Sequence, residues 1–77
     1  MQVNVVANGF QIVKTRDRIG GTIRTDVFEL DNGIFHAFSH YIQDPEEEVI
    51  GFAESFHAKE AIRLSRKDLR KQWLSER

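Results

Sequence analysis

Two hydrophobic periodicities divide this chain. Up to about residue 53, short runs of β-branched and aromatic residues are separated by turn-forming clusters; beyond it, apolar residues recur at spacings of three and four. Residues 3–7 and 10–14 flank Asn8-Gly9, a pair that favours the positive φ angles of a type I′ turn, so the pattern predicts a hairpin there. Asp17-Arg18-Ile19-Gly20-Gly21 reads as a flexible turn, and residues 22–30, with Thr22, Ile23, Thr25, Val27 and Phe28, as a strand. Asp31-Asn32-Gly33 is a further turn signal.

Residues 34–43 fit two templates. As a helix, Ile34, Phe35, Phe38, Tyr41 and Ile42 form one stripe, and this is the cleaner periodicity. As a strand, Phe35, Ala37, Ser39 and Tyr41 share one face, and Ile34, His36, Phe38, His40 and Ile42 the other. The composition and the preceding turn favour the strand, and a central strand covered on both sides shows apolar residues on both faces. Asp44-Pro45-Glu46-Glu47-Glu48 fits a helix start or a hairpin turn equally. Residues 49–53 are then taken as a short strand, although Gly51 weakens either assignment.

The C-terminal helix is predicted from about His57. Ala58, Ala61, Ile62, Ser65, Leu69 and Trp73 fall along one stripe, with Lys59, Arg63, Arg66, Lys67, Arg70 and Lys71 on the remaining surface. Ser55 is placed to cap it. A competing capping pattern runs from Leu64 to Leu69, with Ser65 as cap; it would start the helix at Arg66 and make residues 58–64 a last strand. The helix-forming residues at 58–64 favour one long helix. The resulting fold class is α+β: a single domain over residues 1–77, a small antiparallel β-meander of four to five strands with one C-terminal amphipathic helix packed across it. A five-stranded small barrel with an appended helix is the nearest alternative.

Composition narrows the function classes. The 77 residues are 40 % hydrophobic and 30 % charged, a globular balance. There is no cysteine, which removes disulfides, thiolate metal sites and cysteine nucleophiles, and favours a reducing, cytoplasmic setting. The first residues lack the basic and apolar regions of a signal peptide, and no apolar run approaches the roughly 20 residues that span a bilayer.

The net charge of −1 is unevenly spread. Seven of the eleven basic residues lie from Lys59 to Arg77, after the acidic cluster of Asp44, Glu46, Glu47, Glu48 and Glu54. A pI near 6.3 argues against binding nucleic acid through the overall field.

No catalytic signature emerges. His36 and His40, with His57 or Glu54, make a metal site only if they converge, and on a strand the first two stand roughly 13 Å apart. Glu46, Glu47 and Glu48 read as a solvated turn. Gly20-Gly21 has no phosphate-loop context, and no serine sits in a nucleophile elbow.

The basic helix is the remaining feature. Arg63, Arg66, Lys67, Arg70 and Lys71 offer a charged surface, and Trp73 an anchor for either the core or an interface. The expectation is a non-enzymatic interaction module that binds a protein partner or associates with itself through this helix, without cofactor, metal or small-molecule substrate. The alternative is a nucleic-acid-binding accessory protein that sets the same helix on a phosphate backbone.

Overall fold

The structure is a computed structural model that describes residues 7–75. It has four strands, β1 (Ala7–Asp17), β2 (Gly21–Leu30), β3 (Phe35–Tyr41) and β4 (Gly51–Ser55), followed by helix α1 (Ala58–Ser75). The strands form one open antiparallel sheet in chain order, and α1 lies across one face of β2, β3 and β4. Among the described residues, no helix is long and apolar enough to cross a membrane.

Tight turns fix the register. Between β1 and β2, Gly21 takes a positive φ of 95° opposite Asp17, while Gly20 lies flat against the Tyr41 ring, where a Cβ would come within 2.7 Å. Between β2 and β3, the Gly33 N–H donates to the Leu30 carbonyl and the Asn32 side chain accepts from the Ile34 N–H, with Gly33 at φ 86°. Across the longer β3–β4 connection, the Asp44 carbonyl accepts from the Glu47 N–H and its carboxylate from the Val49 N–H. The Asp-Pro cluster is therefore a turn and starts no helix.

Two expectations are corrected. Asn8-Gly9 is no hairpin turn: β1 runs straight through it and pairs with β2 from Ala7 to Asp17. The ten residues of β2 offer ladder partners along this whole run, and that long-range pairing overrides the local turn preference. The Asn-Gly pair is absorbed as a bulge, with Ala7 opposite Leu30 and Gly9 opposite Glu29. Of the strand expected over residues 3–7, only Ala7 lies within the described residues.

The competing capping pattern at Ser65 starts no helix, and α1 is the one long helix expected. Ser65 is fully buried in mid-helix, and its hydroxyl donates to the Ile62 carbonyl. The helix begins a few residues beyond Ser55, whose hydroxyl accepts from the His57 N–H. The last strand begins at Gly51 and not at residue 49, because Val49 turns inward to the core.

The core under α1 has two apolar clusters. Ile23, Tyr41, Val49 and Leu69 form one, with Trp73 packed on it; Val27, Ala37 and Ala61 form the other, with Phe35 and Ile62. Between them runs a buried hydroxyl seam. Thr25 and Ser39 face each other across β2 and β3 at 2.7 Å, and Ser39 meets Ser65 of the helix, also at 2.7 Å. All three side chains are fully buried, so their hydrogen bonds come from one another and, for Ser65, also from the Ile62 carbonyl.

Next along this row, Gly51 pairs with Ser39 and lies directly beneath the helix backbone. Helix side chains also occupy the outer edge of β4: Asp68 accepts from the Phe52 N–H, and Gln72 donates to the Ile50 carbonyl and to Asp68, each at 2.9 Å.

A Cβ at Gly51 would sit 2.2 Å from the Ser65 carbonyl oxygen and 2.4 Å from the Leu69 nitrogen, both of them backbone atoms. Gly51→Ala is therefore expected to cost about 3 kcal/mol or more by pushing α1 off the sheet. Urea unfolding followed by circular dichroism measures this, and a variant within ~0.5 kcal/mol of the parent would contradict the packing described.

Candidate functional site

The helical turn divides the basic residues into two rows. Lys59, Arg63, Lys67 and Lys71 recur every four residues and are exposed, and Arg63 spends its charge on Glu60 of the same helix at 2.8 Å. Lys67 and Lys71 make no ion pair among the described residues. Arg66 and Arg70 lie on the flank that overlooks β1, which α1 does not cover, and both reach across to it. Arg66 donates to the Thr15 hydroxyl at 2.7 Å, and Arg70 contacts the Asp17 carboxylate at 3.3 Å.

Trp73 packs its ring on Tyr41 at 4.7 Å and closes the core. Of the six helix residues singled out from the sequence, Arg63, Arg66, Arg70 and Trp73 are thus engaged within the domain. Of these six, Lys67 and Lys71 present charge that no ion pair opposes among the described residues. The last turn of the described helix carries no cation that would offset its dipole.

Asp17 is the centre of a small network. Its side chain is only 10 % exposed and accepts from the Tyr41 hydroxyl at 2.5 Å as well as from Arg70. Burial alone would raise the Asp17 pKa, but the Tyr41 hydrogen bond and the Arg70 charge outweigh it and hold the carboxyl below its usual value. Burial, reinforced by the Asp17 carboxylate, pushes the Tyr41 phenol above its ordinary range. The network joins β1, β3 and α1.

The surface that sequence reasoning did not find is the other face of the sheet. Strand alternation turns Phe10 and Ile12 of β1, Phe28 of β2, His36 and Phe38 of β3 and Phe52 of β4 away from the helix. The rings touch from one strand to the next: Phe10 to Phe28 at 4.9 Å, Phe28 to Phe38 at 6.0 Å and Phe38 to Phe52 at 5.0 Å. His36 stands edge-on to Phe52 at 5.3 Å.

Phe10, Phe38 and Phe52 remain 55 %, 37 % and 41 % exposed, with Ile12, Ile42 and Ile50 exposed around them. Three phenylalanines at these fractions offer roughly 250 Å² of apolar surface, and the isoleucines bring it into the range of the largest apolar patch on a typical monomer, which is often functional. A shallow cavity of about 250 Å³ opens on this face between Phe28, Leu30, His36 and Phe38.

Polar groups on this face are largely paired. Arg24 holds Asp26 at 2.8 Å and His36 holds Glu54 at 3.1 Å; His40 lies 3.9 Å from Glu47. The two histidines of β3 thus face separate carboxylates. Among the described residues, no three potential ligands converge to hold a metal ion.

A scan against protein-family models, a search of curated proteins and a search of solved structures each return no match for this chain.

The Asp17–Tyr41 network sets a pH dependence of stability. The depressed Asp17 pKa contributes stability above its unfolded value near 4 and loses it as pH falls through the folded value. The raised Tyr41 pKa contributes stability below about pH 10 and loses it as pH climbs toward the folded value. Unfolding free energy should therefore fall at both extremes. Tyr41→Phe should cost about 2 kcal/mol at neutral pH, by leaving the Asp17 carboxylate short of a donor, and should flatten the alkaline limb. Urea midpoints across pH would show this; an unchanged alkaline limb in Tyr41→Phe would exclude Tyr41 as its cause.

Proposed function

We propose that this protein is a non-enzymatic interaction module that docks a protein through the open aromatic face of its sheet. The observation that carries this reading is the unbroken row Phe10–Phe28–Phe38–Phe52, which crosses all four strands with three of its rings substantially exposed. Solvent-facing sheet surfaces normally alternate to polar side chains. An aromatic row there weakens solubility unless a partner covers it. Aromatic side chains also dominate binding hot spots, because they bury large areas at small conformational cost.

The basic helix contributes less than its sequence promises. Arg66 and Arg70 hold β1 in place, Trp73 closes the core, and Lys67 and Lys71 remain as solvated charges suited to steering an encounter. The non-enzymatic character is supported by the way polar groups are used. Among the described residues, the buried hydroxyls of Thr25, Ser39 and Ser65 bond to one another and to the Ile62 carbonyl, and His36 bonds the Glu54 carboxylate.

Two variants separate the surfaces. Phe38→Glu alters the aromatic face, and Lys67→Glu with Lys71→Glu reverses the exposed helix charge. Complexes trapped by cross-linking in the native cell are expected to fall at least about tenfold with Phe38→Glu and to persist with the helix double variant. The reverse pattern would return the binding surface to the helix.

A further inference from the structure

We infer that the open face is closed by the same face of a second copy, in a two-fold dimer layered helix–sheet–sheet–helix. This rests on the reading of that face as the docking surface, and adds the identity of the occupant.

The first ground is the layering itself. A sheet that carries a continuous aromatic row on the face opposite its helix leaves that row in water unless a further layer covers it. Here α1 covers one, and the described residues contain no further element to lie over the other. A second copy supplies an identical apolar sheet, and two such faces pack at the ordinary spacing of a β-sandwich.

The second ground is area. With strands about 4.8 Å apart and residues rising about 3.3 Å, the face from Phe10 to Arg16 across the four strands spans roughly 20 by 20 Å, or about 400 Å² in flat projection. Side-chain relief raises the accessible area above that projection, toward the ~800 Å² per partner of a stable protein interface.

The third ground is charge. The cations on this face are Lys14, Arg16 and Arg24, its anions are Asp26, Glu47 and Glu54, and its histidines are His36 beside Glu54 and His40 near Glu47. Asp26 already neutralises Arg24 at 2.8 Å, and Glu54 bonds His36. Lys14 and Arg16 lie on the outermost strand, at the rim, where a dimer leaves charges in water. Two such faces meet without repulsion at their centres. A polyanion, by contrast, requires a run of unopposed cations, which the centre of this face does not offer. The two-fold arrangement is isologous, so the single patch suffices for both copies. It also leaves α1 outside on each copy, with Lys59, Lys67 and Lys71 still solvated.

Sedimentation equilibrium of the full chain, from micromolar to millimolar concentration, tests this. The expected result is a mass approaching twice the 9.0 kDa of one chain. Phe38→Glu, and separately Phe52→Glu, should raise the dissociation constant roughly 30-fold or more, with the helical circular dichroism retained. If a charged variant unfolds, isotope-filtered NOEs in a mixed sample of labelled and unlabelled parent decide the matter. Contacts between Phe38 of one copy and Phe28 or Phe52 of the other are expected.

A parent that stays monomeric through the millimolar range overturns the inference. The docking reading survives that result if Phe38→Glu still removes a complex with another protein. A dimer untouched by either phenylalanine variant but broken by Lys67→Glu with Lys71→Glu overturns both readings. A monomer in which residues 1–6 of the same chain contact Phe38 overturns the dimer. So does a monomer that binds single-stranded oligothymidylate with an affinity falling steeply with salt, which would assign the face to a polyanion.

Discussion

Everything in this domain hangs on how closely the helix can approach the sheet at one row of small residues. Thr25, Ser39 and Gly51 occupy neighbouring strands at the same level, and Ser65 comes down on them from the helix. Larger side chains at these points would hold α1 away. Gly51 has no side chain, and the three hydroxyls satisfy one another in a space that excludes water. The seam fixes the height, axial position and rotation of the helix at once. The apolar clusters on either side then fill around it, with Leu69 and Trp73 over Tyr41 at one end and Ala61 and Ile62 over Val27 at the other.

Once the helix is placed, the fate of its charges follows from geometry. A helix set over β2, β3 and β4 leaves β1 beyond its shadow, and the flank nearest β1 carries Arg66 and Arg70. These long side chains bridge the gap that helix packing leaves. They act as struts to the outer strand, with Thr15 and Asp17 as their footings. Arginine suits this task because its stem packs while its planar head reaches fixed acceptors. The positive character of the helix is thus divided between architecture on one flank and solvation on the back.

Much of the architecture is legible in the sequence because it is encoded locally. The stripe Ala58, Ala61, Ile62, Ser65, Leu69, Trp73 announces the helix and its buried side, and Asp31-Asn32-Gly33 announces its turn. The ambiguity over residues 34–43 is informative in retrospect. A strand with Phe35, Ala37 and Tyr41 on one side and His36, Phe38 and Ile42 on the other imitates a helix because both faces are apolar. That double-sided pattern is the one local trace of the aromatic face. The face itself requires the register of four strands, which brings Phe10 opposite Phe28 and Phe38 opposite Phe52. No window along the chain contains that information. The same holds for the partners of Arg66 and Arg70, which lie 51 and 53 residues away. Asn8-Gly9 fails in the opposite sense, where a strong local preference yields to pairing along the full length of β2.

The treatment of the β4 edge bears on how such a molecule behaves in a crowd. At β4, Asp68 and Gln72 occupy the backbone groups of Phe52 and Ile50 that an incoming strand would need. A strand arriving at this border would first have to displace both helix side chains from the backbone groups they hold. The polar pair on the helix thus works as a guard on that border, raising the cost of unplanned strand addition there.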